Sequence, residues 1–424
     1  MADPLPTNPS SRVGSPRRAV VLSGGGARGA YEAGVIRYLT HELPRRLGRP
    51  INIDIVCGTS VGAIHACYLA ATAHEDDQRG ARLVDLWKSM KIDEVLPLSF
   101  RDLFRIPRRL LGLRRVAERI RGGEAPERLY GLLNTQALER FVVRAVPWKH
   151  IRSNVRAGRV DAVCVAATQI ATGQVAIFIE NRDRHVSRWT RDPTIVARAT
   201  RLTPHHALAS ASIPMLFPAV RIGSSYYADG GLRLNTPLAP ALRLGADRVL
   251  VIALRQEPRQ AHEAALSEQR VEDYANPTFL FGKVLNALLL DPIDTDLSRM
   301  RLMNEILEDG EKAYGPEFLE RINTVANRER GNPFKKIHDL VIRPSADLGQ
   351  LAGQVLLNMR DEHMTSPLLR FAARGLTRRS GSTPESDLLS YLLFDGNFLA
   401  PLTDLGFADA RAQEEALVEF FTDP

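Results

Sequence analysis

The stretch INIDIVCGTSVGA, residues 51–63, constrains the fold more tightly than any other. In it an apolar strand pattern runs straight into G-x-S-x-G and then into a small-residue helix pattern. A serine in that place needs a sharp strand-to-helix turn at the edge of a buried sheet, with small neighbours on both sides. Upstream, AVVLS reads as another buried strand, SGGGARG as a turn, and Gly29 to about Leu43 as a helix. Strand, helix, strand at this spacing is a βαβ unit, which enforces parallel pairing and puts helices on the sheet faces. The expected class is therefore α/β, three layers deep (α/β/α), with a mainly parallel central sheet.

Gly24, Gly26 and Gly29 form G-x-G-x-x-G, a pattern that serves any strand-to-helix turn whose backbone N–H groups face an anion. A dinucleotide site also needs an acidic residue at the tip of the second strand to hold a ribose. The only acid there is Asp54, which the pattern places inside the strand, so a nucleotide-binding role is disfavoured. The glycines instead share a sheet edge with Ser60, and their amides can receive the oxyanion that develops when a carbonyl is attacked. Gly24, Gly25 and Gly26 are the expected donors, joined by the amide of Val61 at the helix start. Gly58 and Gly62 are the small flanks that let the Ser60 hydroxyl stand clear. Arg28, next to Gly29, either supports this loop or meets a lipid phosphate.

A nucleophilic serine needs a base. His205, His206, His262, His338 and His363 stand in no pattern that marks one of them out. Asp229 in YADGG is the better candidate, because Gly230 and Gly231 allow a sharp turn that aims the carboxylate at Ser60.

Together these elements resemble the patatin-like phospholipases, serine acyl hydrolases that work with a Ser-Asp dyad. GGGARG is similar to the family's oxyanion loop, GTSVG to its nucleophile elbow and DGG to its aspartate motif, in the family's order. ASASIPMLFPAV, with Pro214 and Phe217, looks like the segment preceding the aspartate. The resemblance covers roughly residues 17–254, and SYLLFDGNFLAPLTDLGFADA is similar to the C-terminal part of bacterial members. It implies that Ser60 attacks an ester of a phospholipid or related lipid and forms an acyl-enzyme, with no cofactor and no metal. A neutral-lipid lipase or esterase is the neighbouring possibility. A membrane-associated binding protein with little activity is the alternative from another class.

The remainder of the chain fits that outline. DAVCVAATQIATGQVAIFIE reads as an antiparallel hairpin, Thr203 and Pro204 as the start of a short helix, Pro237 as the start of another, and RVLVIAL as a buried strand. We expect a disordered tail over 1–16, a catalytic domain over 17–255 and a mainly helical region over 256–424. TFLFGKVLNALLL and TDLSRMRLMNEILEDGEKAY are amphipathic helices of that region, IHDLVIRP interrupts them as a strand, and RRSGSTPES is an exposed loop.

The formal charge of +7 comes from 49 Arg against 7 Lys spread along the chain. No finger, basic zipper or base-stacking motif accompanies it, so nucleic acid is not the expected partner. Residues 99–123 mix eight Arg with Phe100, Leu103, Phe104, Leu110 and Leu111. That segment is either an interfacial surface for anionic lipid or a basic helix packing its apolar stripe on the domain. Cys57, Cys67 and Cys164 sit singly in apolar runs, as buried free thiols of a reducing compartment do. With no Sec signal and no apolar run long enough to span a bilayer, a cytoplasmic protein with peripheral membrane contact is expected.

Overall fold

A computed structural model describes residues 15–75, 78–92, 136–186, 189–190, 192–214, 216–257, 293–330, 333–358 and 387–422. The segment 99–123, the stretch TFLFGKVLNALLL, RRSGSTPES, His262 and His363 lie outside the described residues.

The sheet grows from apolar runs that are buried on both faces. β1 (Arg18–Leu22), β2 (Ile55–Thr59) and β8 (Arg248–Ile252) pair in parallel, with β1 in the centre. β3 (Ala162–Gln169) joins β2 in parallel, and β4 (Val175–Asn181) returns antiparallel as the expected hairpin. β5 (Ile195–Ala199) lies beyond β4. A short hairpin of β6 (Val220–Ile222) and β7 (Ser225–Asp229) joins β3 at its far end. β9 (His338–Ile342), the strand expected at IHDLVIRP, pairs in parallel with β8 and extends the sheet. The order is β5-β4-β3-β2-β1-β8-β9.

Alternation along β1 creates the layers. Ala19 and Val21 face one core together with Leu238, Ala241, Leu297 and Met300, while Val20 and Leu22 face the other with Tyr31, Ala66 and Phe398. A strand with two apolar faces needs a helix on each, hence α/β/α. Helices α1 (Gly29–Arg37), α2 (Val61–Ala71), α3 (Arg79–Lys88), α4 (Gln136–Ala145), α5 (Lys149–Arg156) and α6 (Pro204–Ser210) contribute to the larger core. α7 (Leu238–Arg243) and α8 (Ile293–Tyr314) cover the opposite face. Thr203 caps α6 with Pro204 behind it, as its sequence predicts.

The later helices are α9 (Glu317–Arg330), α10 (Leu348–Asn358), α11 (Asp387–Leu392), α12 (Gly396–Ala412) and α13 (Glu414–Phe421). α12 lies along α1, and the Tyr31 hydroxyl donates to Asp409 Oδ2 across 3.0 Å. Cys57, Cys67 and Cys164 are buried and free. Among the described residues no helix is long and apolar enough to cross a membrane.

Candidate active site

β1 is the point where the strand order departs in two directions, towards β2 on one side and β8 on the other. Ligands of open α/β sheets bind beyond the carboxyl ends of strands at such a point. Leu22 of β1 is level with Gly58 of β2, so the glycine loop and the serine turn leave the sheet side by side.

Ser60 occupies φ 54, ψ −124, a conformation that L side chains rarely adopt. Its neighbours make that turn sterically possible. A Cβ on Gly58 would stand 2.0 Å from the Gly62 carbonyl oxygen, and one on Gly62 would stand 2.5 Å from the Leu22 carbonyl oxygen, so both glycines of G-x-S-x-G face backbone with no room for a side chain. The Ser60 amide donates to Ser210 Oγ (2.8 Å), tying the elbow to the end of α6.

Register brings the aspartate to this serine. β2 leaves β3 at the pair Thr59 and Ala166, and β7 takes the vacated side of β3 with Asp229 opposite Ala167. Ser60, the next residue of the chain, therefore meets Asp229, and its Oγ donates to Asp229 Oδ2 at 2.7 Å. Asp229 Oδ1 accepts from the Gly231 amide (2.7 Å), which fixes the carboxylate plane, and Gly230 packs against β3. Asp229 is fully buried, and burial pushes its carboxyl up to about 7 despite the opposing hydrogen bonds from Ser60 and Gly231.

The glycine loop is held from two directions. Gly24 donates its amide to the Asn235 carbonyl (3.2 Å), and Asn235 Nδ2 donates back to the Gly24 carbonyl (3.2 Å). This corrects the expectation for Gly24, whose N–H is used for anchoring; the Gly25, Gly26 and Val61 amides make no hydrogen bond among the described residues. On the other side Gly26 has φ +57, and a Cβ there would lie 2.3 Å from the Tyr391 carbonyl oxygen of α11. Arg28, 3% exposed, donates from Nε to Ser390 Oγ (2.8 Å) and lays its guanidinium on the Tyr391 ring, 4.4 Å from the centroid. These contacts tie Arg28 to α11 beside the glycine loop. Gly29 packs on Val61, locking the loop helix α1 to the elbow helix α2.

Asp54 stands just before β2, not within it, and accepts from the Arg18 amide (2.8 Å) at the sheet edge opposite Ser60. That place is out of reach of any ribose bound on the glycines.

Ser60 opens into a largely apolar cleft walled by Ile64, Leu83, Trp87, Val142 and Phe217. His65 lines it too, hydrogen-bonded through Nδ1 to Glu32 Oε2 (2.7 Å), and in isolation that pair looks like the back half of a Ser-His-Glu triad. Trp87 decides otherwise, because its Nε1–H donates to His65 Nε2 (2.9 Å) and takes the only lone pair a neutral imidazole offers. Burial holds His65 neutral, down to about 3. His206 is spent on the α6 cap and His338 lies on the outer strand β9, so neither approaches Ser60.

One group among the described residues, His74, Glu75 and His150, places possible metal ligands together. Asn154 Nδ2 donates to the carbonyls of Ala70 and Ala71 and faces His74 Nδ1 at 3.1 Å. Asn154 thus crowds His74 Nδ1, and Glu75 already pairs with Arg82, so the donor set suits a cation poorly.

Sequence reasoning missed Asn235, Ser210, His65 and Tyr391. Asn235 alone had a local sign, standing six residues after Asp229 in the same loop.

The chain is similar to several known proteins. A cGAMP-activated phospholipase of Pseudomonas aeruginosa (strain BWHPSA011 / Pa011) is 30% identical over 227 residues, 51% of this chain and 53% of that protein. The chain thus spans about half the length of the curated relative it matches. Among solved structures, VipD from Legionella pneumophila aligns over 92% of this chain and 67% of its own, with 14% identity and a TM-score of 0.31. Human GIVD cytosolic phospholipase A2, in complex with methyl gamma-linolenyl fluorophosphonate, aligns over 96% and 59%, with 12% identity and a TM-score of 0.40. Residues 20–242 match the family described as patatin-like phospholipase, and with more than half its length inside that match the chain belongs to this family.

Proposed function

We propose that the chain is a serine lipid acyl hydrolase that cleaves fatty acyl esters of phospholipids or related lipids with Ser60 as nucleophile and Asp229 as base. The observation that carries this reading is the 2.7 Å contact between a buried carboxylate and the Oγ of Ser60, which lines an apolar cleft. As Oγ bonds to the ester carbonyl carbon, its proton passes to Asp229 Oδ2 and the carbonyl electron pair moves onto oxygen. The Gly25, Gly26 and Val61 amides receive that oxyanion, at the positive end of α2. Collapse expels the alcohol, which takes the proton from Asp229 and leaves an acyl-Ser60 ester. Water then adds to the ester, gives a proton to Asp229 and releases the fatty acid, and the proton returns to Ser60. A carboxyl near 7 suits a group that must both take and return a proton around neutral pH.

The substrate is a lipid in a membrane or micelle, and the 99–123 segment is the proposed contact with that surface. The expected test is hydrolysis of p-nitrophenyl acyl esters and mixed phospholipid vesicles without added metal, by wild type and Ser60→Ala. The description of the Pseudomonas aeruginosa relative as cGAMP-activated adds one arm, the same assay with cGAMP present. Turnover in the wild type and none in Ser60→Ala supports the reading. Equal turnover in both overturns it, and a folded wild type inactive with and without cGAMP favours the binding-protein alternative.

A further inference from the structure

Three side chains beside the cleft form a hydrogen-bonded line across three helices: Glu32 on α1, His65 on α2 and Trp87 on α3. All are buried, at 0%, 1% and 4% exposure. We propose that Glu32 and His65 are positioning residues that hold the Trp87 indole as a fixed wall of the acyl cleft, so that Trp87 sets the length of acyl chain the site accepts. This rests on the acyl hydrolase reading above and goes beyond it, since it assigns a specificity determinant.

The protons of the line have one arrangement. An indole N–H only donates, so His65 Nε2 accepts, Nδ1 carries the ring proton, and Glu32 Oε2 accepts it. Glu32 therefore selects the tautomer that His65 must adopt to hold Trp87. The indole is confined from its face as well, stacked on Phe394 with centroids 6.2 Å apart and planes 16° from parallel. The His65 ring meets it edge-on at 5.5 Å. A ring caught by one directional bond and one stack cannot turn to make room for a longer chain.

Stability gives no reason for this line. Glu32 is fully buried, and burial drives its carboxyl well above its ordinary range against the opposing hydrogen bond from the Ser23 backbone. Apolar side chains of similar volume would fill the space without that penalty, so the gain lies in direction, an indole locked in one plane in the wall of the cleft. His65 and Trp87 both line the cleft, while Glu32 stands behind His65, as a positioning residue does.

The test compares wild type, Trp87→Phe, His65→Leu and His65→Gln on saturated p-nitrophenyl esters of increasing chain length. The same series of free fatty acids is then titrated against each variant in a Ser60→Ala background. A pocket resolves one methylene by roughly tenfold or more. Trp87→Phe shortens the wall and is expected to raise the ratio of kcat/KM for long over short chains about tenfold or more. His65→Leu frees the indole and is expected to shift that ratio in the same direction. His65→Gln, whose amide can accept from Trp87 and donate to Glu32, is expected to restore the wild-type preference. Nitrogen NMR of the Ser60→Ala protein is expected to show His65 protonated at Nδ1 and bare at Nε2. Unchanged preference in folded Trp87→Phe overturns the proposal, as does an Nε2-protonated His65. If nothing is hydrolysed, the hydrolase reading falls by itself, and the fatty-acid titrations and the NMR tautomer still decide whether Trp87 gauges chain length.

Discussion

Ser60 Oγ stands 2.7 Å from Asp229 Oδ2 although the two lie 169 positions apart in the chain. A one-residue relay in the sheet explains the meeting. β3 is paired by β2 up to Ala166 and by β7 from Ala167, so the residue leaving β2 and the residue ending β7 arrive at one place. A register slip of one in the β6–β7 hairpin would turn Asp229 to the other face. The Asp229 amide, held by the Ser212 carbonyl at 2.8 Å, and the Thr168 hydroxyl, 2.9 Å from the Asp229 carbonyl, guard against it.

The pH dependence of turnover follows from burial of that carboxylate. In the proposed mechanism Ser60 loses its proton to ionised Asp229, whose carboxyl burial raises to about 7. kcat/KM is expected to rise with pH through a midpoint near 7 when read with an ester whose leaving group does not titrate. A midpoint near 4 would mean a solvated, ordinary carboxylate.

Asp229→Asn is expected to abolish activity and to stabilise the protein in alkali. The native state holds the Asp229 proton more tightly than the unfolded chain, about 7 against an ordinary 3.8. The resulting stability is complete below about pH 4 and is lost as pH rises through 7. Asparagine never ionises and can accept from Gly231 while facing Ser60. Thermal unfolding at pH 8 is expected to favour the variant by up to about 4 kcal/mol, with a much smaller difference at pH 5.

Gly26→Ala tests the loop. The left-handed backbone at φ +57 and the Tyr391 carbonyl at 2.3 Å both oppose a methyl group, so the loop must move. Displacing one oxyanion donor is expected to lower kcat about 100-fold or more, with little change in KM. Wild-type kcat in a folded variant would remove Gly26 from the site.

Arg28→Ala separates loop support from lipid contact. Loss of the Tyr391 stack and the Ser390 bond is expected to cost about 2–4 kcal/mol in urea unfolding and to lower kcat. Ser390→Ala alone should cost about 1 kcal/mol, and the double variant less than the sum. A variant that keeps its stability and loses only vesicle binding would return Arg28 to the phosphate role.

Much of this was legible because it is local. Two-faced apolar runs mark β1, β2 and β8, and the small residues around Ser60 mark a turn that few other structures require. What was hidden is long-range. The place of Asn235 six residues after Asp229 hints at the site but not at its partner, a glycine 211 positions away that Asn235 holds through both backbone and side chain. His65 and Trp87 sit in helices as ordinary core residues would, and only the hydrogen bonds from Trp87 to His65 and from His65 to Glu32 set them apart. IHDLVIRP reads as a strand, but its place beside β8 depends on how the later helices pack, which no pattern in those residues states.

The central claim, that Ser60 is the nucleophile activated by Asp229, is tested most directly by covalent trapping. Wild type, Ser60→Ala and Asp229→Asn are treated with a long-chain alkyl fluorophosphonate, and the adducts are mapped by mass spectrometry. One adduct on Ser60 in the wild type, none in Ser60→Ala and far slower labelling in Asp229→Asn are expected. Labelling of Ser60→Ala at the wild-type rate, or of Ser60 equally fast without the Asp229 carboxylate, would contradict the account.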